Sequence, residues 1–206
     1  MTKRRVVVTG LGILSPLGND LASSWDGIVN GRSGIGPITQ FDIEGYSTRI
    51  GGEIQGFDPA QWVSAKDVKK MDTFIHYGVA ATMMALRDAG LEITDANAER
   101  IGAIIGSGIG GIHGIEEQTI RLHEGGPRKV SPFYVPSTII NMLPGQITLL
   151  TGIKGPSFSA VSACASSNHS IGTAMRMIQY GDADAMIAGG AERGTTPTSV
   201  GGFCAM

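Results

Sequence analysis

Charge and sulfur are both scarce in this chain. Charged residues make up 17% of it and the formal net charge is −2, so general polyanion or nucleic-acid binding has no basis and any basic patch must be local. There are two cysteines, Cys164 and Cys204, with no CxxC pair and no Cys/His metal spacing. That argues against a disulfide framework or a metal centre and suits a reducing cytoplasm. No apolar run reaches the ~18 residues that span a bilayer, so no membrane segment is expected. The apolar stretch after Met1-Thr2-Lys3-Arg4-Arg5 is interrupted by Gly10 and Gly12, a poor core for a signal peptide. Arg4 and Arg5 read as a solvated strand start.

What is present suits a mostly buried α/β protein: 206 residues, 42% hydrophobic, with 31 glycines. No repeat or linker divides it, so residues 1–206 read as one domain. A first strand is expected at 5–9. Asn19 or Asp20 caps a helix carrying Trp25, Ile28 and Val29, ending before Gly31. Residues 33–62 read as loop with a short strand near 47–54. Ser64 and Asp67 resemble a capping box opening a long helix with Met71, Phe74, Ile75, Val79, Met83 and Leu86 on its apolar face, stopped at Gly90. A buried strand comes next at 101–107, then a helix at 112–123, ended by Gly125-Gly126-Pro127. Ser137 caps a helix over 138–150, which Pro144 should kink or break. Strands at 157–163 and 185–189 flank a last helix. Strands alternating with helices argue a mainly parallel, covered sheet.

Cys164 is the chief candidate for chemistry. Alternating Ser and apolar residues lead up to it, and Ile171, Ala174, Met175 and Ile178 give helical spacing after it. The thiol therefore sits at a strand-to-helix turn among Ala163, Ala165, Ser166 and Ser167. Backbone N–H groups at the new helix's start favour a thiolate and can hold a developing oxyanion. A free cysteine is otherwise most often a small buried hydrophobe.

Other signals are weaker. Gly10-Leu11-Gly12-Ile13-Leu14-Ser15 mimics a dinucleotide fingerprint, but Pro16 stands next, where a helix should run, so a packing turn is expected. Glycines at 106–111 mean close backbone approach, to another element or to a ligand. Lys66, Lys69 and Lys70 cluster before the long helix, and Arg128-Lys129 comes after a turn; taken alone, they read as a solvated basic face. His76, His113, His123 and His169 lack ligand spacing and read as surface or packing residues. His169 lies five residues past Cys164, too far round a helix to reach the thiol.

Several segments together carry a resemblance. Ser162-Ala163-Cys164-Ala165-Ser166, with Gly155-Pro156 before it and Gly189-Gly190-Ala191-Glu192 after it, looks like the active-cysteine segment of β-ketoacyl-acyl-carrier-protein synthases, closest to the long-chain elongating type II branch. Val6-Val7-Val8-Thr9-Gly10-Leu11-Gly12, the 106–111 glycine cluster and Pro136-Ser137-Thr138-Ile139-Ile140-Asn141-Met142 are similar too.

The resemblance implies a thiolase-like layered α/β/α fold with a mainly parallel mixed sheet, of which this is the N-terminal half. It implies a Claisen condensation of a Cys164-bound acyl thioester with malonyl-carrier, releasing CO2, without a cofactor. Ile109 would line the acyl pocket, and Tyr134 would enter the partner subunit's pocket. Lys66, Lys69, Lys70, Arg128 and Lys129 would dock acidic acyl carrier protein. A homodimer would pair segment 157–161 across a two-fold axis. The family's two His, its Lys and one oxyanion donor come from a second half, so condensation is not credited to this chain alone. Cys204 is read as buried and not catalytic. A coenzyme A-dependent thiolase-type enzyme and a non-catalytic dimerising partner stay open as alternatives.

Overall fold

The computed structural model describes residues 3–206. Asp20 starts α1 (Leu21–Val29) by accepting the Ser23 N–H at 2.7 Å. β1 (Ile35–Pro37) and β2 (Ile50–Gly52) form a small antiparallel ribbon; only its second strand was expected. Ser64 accepts the Asp67 N–H and donates to the Asp67 carboxylate, but this box opens only one turn, α2 (Ala65–Val68).

The long helix starts later than expected, as α3 (Thr73–Ala89). Asp72 is its true cap: one carboxylate oxygen takes the Phe74 N–H and the other the Gly114 N–H. Tying the cap to the first turn of the later helix Ile112–Gly125 breaks continuity with α2. Gly90 ends α3 at φ 59, ψ 28, a left-handed stop that favours glycine.

β3 (Ile101–Gly106) is buried at every position. After it come α4 (Ile112–Gly125), α5 (Tyr134–Thr138) and α6 (Met142–Thr151). The helix expected over 138–150 is α6, which starts four residues later, with α5 a separate short helix ahead of it, and Ser137 donates to the Tyr134 carbonyl instead of capping. Pro144 stands third in α6, where a missing N–H is harmless. The break falls ahead of it.

β4 (Ser157–Phe158), α7 (Ser166–Tyr180), β5 (Ala185–Gly190) and α8 (Pro197–Cys204) complete the chain. The three-stranded core sheet has the order β4-β3-β5, all parallel. β4 is shorter than its Ser/apolar alternation suggested, because the chain leaves the ladder early. The Ser159 hydroxyl instead donates to the Ile105 carbonyl at 2.8 Å.

Segment 5–9 joins no ladder among the described residues, contrary to expectation. Its backbone finds no strand alongside, and Val7 and Val8 are exposed. The glycines just beyond it form a packing turn: a Cβ on Gly10 or Gly12 would strike the backbone of Ala85 or Ala81 in α3. They let two backbones approach, which accounts for them without a nucleotide.

The core lies between sheet and helices. Phe74, Ile75 and Val79 of α3 meet Leu143 and Ile147 of α6 and Ile101, Ala103 and Ile105 of β3. His76 packs here too; burial pushes its pKa down, and its Nε2 lies 3.1 Å from the Val68 carbonyl. Arg100 clamps the strand starts, holding Asp184 by two contacts of 3.0 Å and the Gly181 carbonyl at 2.8 Å. Among the described residues no helix is long and apolar enough to cross a membrane.

Glu53 is buried at 5% exposure. Burial alone would raise its pKa. The Thr39 hydroxyl and N–H, the Gln40 N–H and the Gln55 amide outweigh that and hold it below the ordinary value. The unfolded chain therefore binds the proton more readily. Glu53 contributes stability above its unfolded pKa and loses it as pH falls through the folded one. Glu53→Gln should cost about 2 kcal/mol at neutral pH, the scale of hydrogen bonds to a charged group. The difference in denaturant midpoint between the two proteins should begin to shrink as pH falls below about 4.3, the ordinary glutamate value, and close only below the lowered folded pKa. A difference that does not shrink as pH falls would show that the carboxylate charge is not its source.

Candidate active site

Three loops meet at the carboxyl ends of β3, β4 and β5, the usual place for a site in a parallel sheet. The loop after β4 carries Cys164, which lies in the 3-10 turn Ala163–Ala165 directly before α7 and is exposed. Among the described residues Ala163 is the only non-glycine with positive φ, at 50. A left-handed alanine costs roughly 1–2 kcal/mol, so its surroundings must enforce it.

Ser166, buried at 4% exposure, provides much of that enforcement. Its hydroxyl accepts the Ser162 N–H at 2.9 Å and donates to the Ala163 carbonyl at 2.8 Å. On the outer side the Ser162 hydroxyl lies 2.6 Å from His169 Nδ1. His169 therefore braces the turn that presents the thiol. Neither α7 nor the turn before it has a side-chain cap. The first backbone N–H groups of α7 thus face no competing side-chain acceptor, as thiolate and oxyanion stabilisation require.

The glycine loop after β3 is occupied from within. Glu192, just beyond β5, accepts the N–H groups of Gly108 (2.6 Å), Ile109 (2.8 Å) and Gly110 (3.0 Å) on one carboxylate. Of the two readings left open for these glycines, close approach to another element holds for this backbone. Glu192 had no role assigned from sequence. Its signal was an acid two residues past a strand, opposite a glycine loop, which is intelligible only once β3 and β5 are known neighbours.

Ile109 and Tyr134 come together on one chain. Both line an open, mainly apolar cleft of about 590 Å3 with Val135, Ile139, Ile140 and Val161. Val161 lies three residues before Cys164. The basic residues divide. Lys66, Lys69, Arg128 and Lys129 are exposed, whereas Lys70 is half-buried, 2.7 Å from Asp67 and over the Phe133 ring. Lys69 shares a shallow polar pocket with Ser131 and Phe133, which sets the α2 turn beside the segment after Lys129.

Cys204 is half-buried, less buried than expected. The Ser47 hydroxyl, then the Thr48 and Ser47 backbone, lower its pKa.

Comparison with known proteins gives a consistent match. Residues 3–206 match the family model described as "Beta-ketoacyl synthase, N-terminal domain". A Vibrio cholerae protein named 3-oxoacyl-[acyl-carrier-protein] synthase 2 is 55% identical over 98% of this chain and 49% of its own length. The Coxiella burnetii protein of that name is 48% identical over the whole chain and 50% of its own length. The chain thus spans about half the length of the curated relatives it matches. Among solved structures, the ishigamide ketosynthase/chain length factor superposes with a TM-score of 0.90 at 29% identity, covering 98% of this chain and 51% of that one. A type II polyketide ketosynthase in complex with its acyl-carrier protein gives 0.83 at 26% identity, covering 98% and 54%. These likenesses bear out the thiolase-like α/β fold read from the sequence.

Both thiols have a reason to react, one exposure and the other a lowered pKa. A lowered pKa raises the thiolate fraction at neutral pH faster than it blunts nucleophilicity, which favours Cys204. That sulfur is half-buried and held by the Ser47 and Thr48 hydrogen bonds, however, so access ranks Cys164 first. Brief iodoacetamide treatment and then peptide mass mapping should find the label mainly on Cys164. Dominant labelling of Cys204 would refute this ranking.

Proposed function

The chain belongs to the β-ketoacyl synthase family, and we propose that it is the N-terminal half of a 3-oxoacyl-[acyl-carrier-protein] synthase 2. The observation that carries this reading is the exposed Cys164 on its strained turn, close along the chain to an apolar cleft lined by Ile109. In the first step the Cys164 thiolate attacks the carbonyl carbon of an acyl-carrier thioester. The C–S bond to the carrier breaks, the carrier leaves as its thiolate, and the acyl group stays on Cys164. In the second step malonyl-carrier loses CO2, and its α-carbon attacks the acyl-enzyme carbonyl. Cys164 is expelled, and the product is a 3-oxoacyl carrier two carbons longer.

Cys164 is the nucleophile in this scheme, and Ile109 and Tyr134 shape the acyl cleft. Lys66, Lys69, Arg128 and Lys129 attract the acidic carrier, with Lys70 contributing less because Asp67 partly neutralises it. Groups that polarise the malonyl thioester lie outside residues 1–206. His169 is engaged with Ser162, and His76 is buried against Val68. Exposed apolar side chains at Val7, Val8, Trp25, Ile28 and Val29 support a further covering layer of protein.

The synthase acts as a cytoplasmic homodimer. Among the described residues β4 pairs only with β3, which leaves its other edge to meet a twin strand.

Acylation tests the reading directly. Incubated with acyl-carrier thioester, the full-length protein should gain one acyl mass on Cys164, and Cys164→Ala should abolish it. Lys66→Glu with Lys69→Glu should slow acylation several-fold at low salt and flatten its salt dependence. Equal acylation from acyl-coenzyme A, insensitive to those reversals, would favour a thiolase-type enzyme instead.

A further inference from the structure

We propose that Glu192 is a positioning residue that sets acyl-chain preference by locking the 108–110 loop in place. This rests on the acyl-transfer reading of the cleft. Three successive backbone N–H groups turned to one side make an anion-binding nest. Such a nest left empty carries partial positive charge and invites a water, a phosphate or a substrate anion. Here the Glu192 carboxylate fills it. One oxygen takes both the Gly108 and Ile109 N–H groups, and the other takes that of Gly110.

The anchor behind the carboxylate is firm. Ala191 N–H donates to the Gly106 carbonyl at 3.1 Å, extending the β3–β5 pairing to the residue before Glu192. At the end of the nest Gly110 turns at φ 83, and beyond it the Gly111 N–H donates to the Thr138 carbonyl at 3.0 Å. Ile109 is held between these two fixed points. Its backbone has no freedom to drift while its side chain stays half exposed at the cleft.

The loop also touches the nucleophile's turn. A Cβ built on Gly108 would lie 2.8 Å from Glu192 Oε2 and 3.6 Å from the Ala163 Cα. A side chain at 108 would crowd the carboxylate and force it to shift. Both carboxylate oxygens of Glu192 are engaged by the loop N–H groups and Glu192 does not line the cleft, so its effect on the acyl chain passes through Ile109.

Two substitutions attack the same contact from opposite sides. Glu192→Gln keeps the shape but replaces one acceptor oxygen with a donor NH2, which faces the nest N–H groups unfavourably. Gly108→Ala keeps the carboxylate and pushes it away. Acylation of Cys164 is measured in the full-length protein with carrier thioesters of a short and a long saturated chain. Each rate is normalised to Cys164 alkylation by iodoacetamide, which reports the thiol without an acyl chain.

The long-to-short ratio should change about tenfold in both variants and in the same sense, the scale on which misplaced positioning groups alter rates. Glu192→Asp, which keeps the charge, should fall between wild type and Glu192→Gln. An unchanged ratio in the folded variants would overturn the assignment. Acylation of the wild-type protein by none of the donors would instead sink the acyl-transfer reading beneath it.

Discussion

Ala163 stands in a left-handed conformation, and the presentation of Cys164 depends on it. β4 runs into the sheet's carboxyl edge and α7 runs back over the sheet. A side chain at their junction, here Cys164, reaches the surface only if the chain reverses within two or three residues. A single positive φ accomplishes this. Glycine would adopt it freely, but it would also let the turn sample other conformations. Alanine accepts the strain and is held by Ser166, whose one hydroxyl bonds both the Ser162 N–H and the Ala163 carbonyl. Ser166 is itself the first residue of α7, so the helix that offers its N-terminus to the thiol also fixes the turn before it.

The layers around this turn are set by close backbone approach. A Cβ on Gly106 would strike the Ala160 carbonyl and meet the Ser166 side chain, and one on Gly78 would strike Leu143. The first contact brings β3 against the Cys164 loop and the second brings α3 against α6. Position and strain are thus linked: the strand that buries the core is also the platform under the Cys164 turn.

Much of this was legible in the sequence. The strand–Cys164–helix reading needed only local periodicity, and β3 and β5 were plain as short apolar runs. Gly90 and the glycine–proline end of α4 were readable because helix stops are local chemistry. The failures have a common cause. Asp72 takes over capping from Ser64 because it also binds the Gly114 N–H, forty-two residues away. β1 was missed because its pairing with β2 crosses a twelve-residue connection. Segment 5–9 has strand composition but no strand beside it among the described residues, and a ladder is a property of two segments. Glu192 was hidden for the same reason, since its partners lie more than eighty residues earlier.

The filled nest also constrains the chemistry of the site. Glycine loops beside a nucleophile are natural sources of oxyanion donors, but the N–H groups of Gly108, Ile109 and Gly110 already bond a full carboxylate. Releasing them would leave the Glu192 carboxylate without its three donors, which offsets what a developing oxyanion, an acceptor of the same charge-assisted kind, would return. In the proposed acyl transfer the negative charge on the tetrahedral intermediate must therefore be met elsewhere. Within these residues the uncapped start of α7 beside Cys164 is the donor left free for that charge. The glycine loop is left with a steric task, and the turn at Ala163 with the electrostatic one.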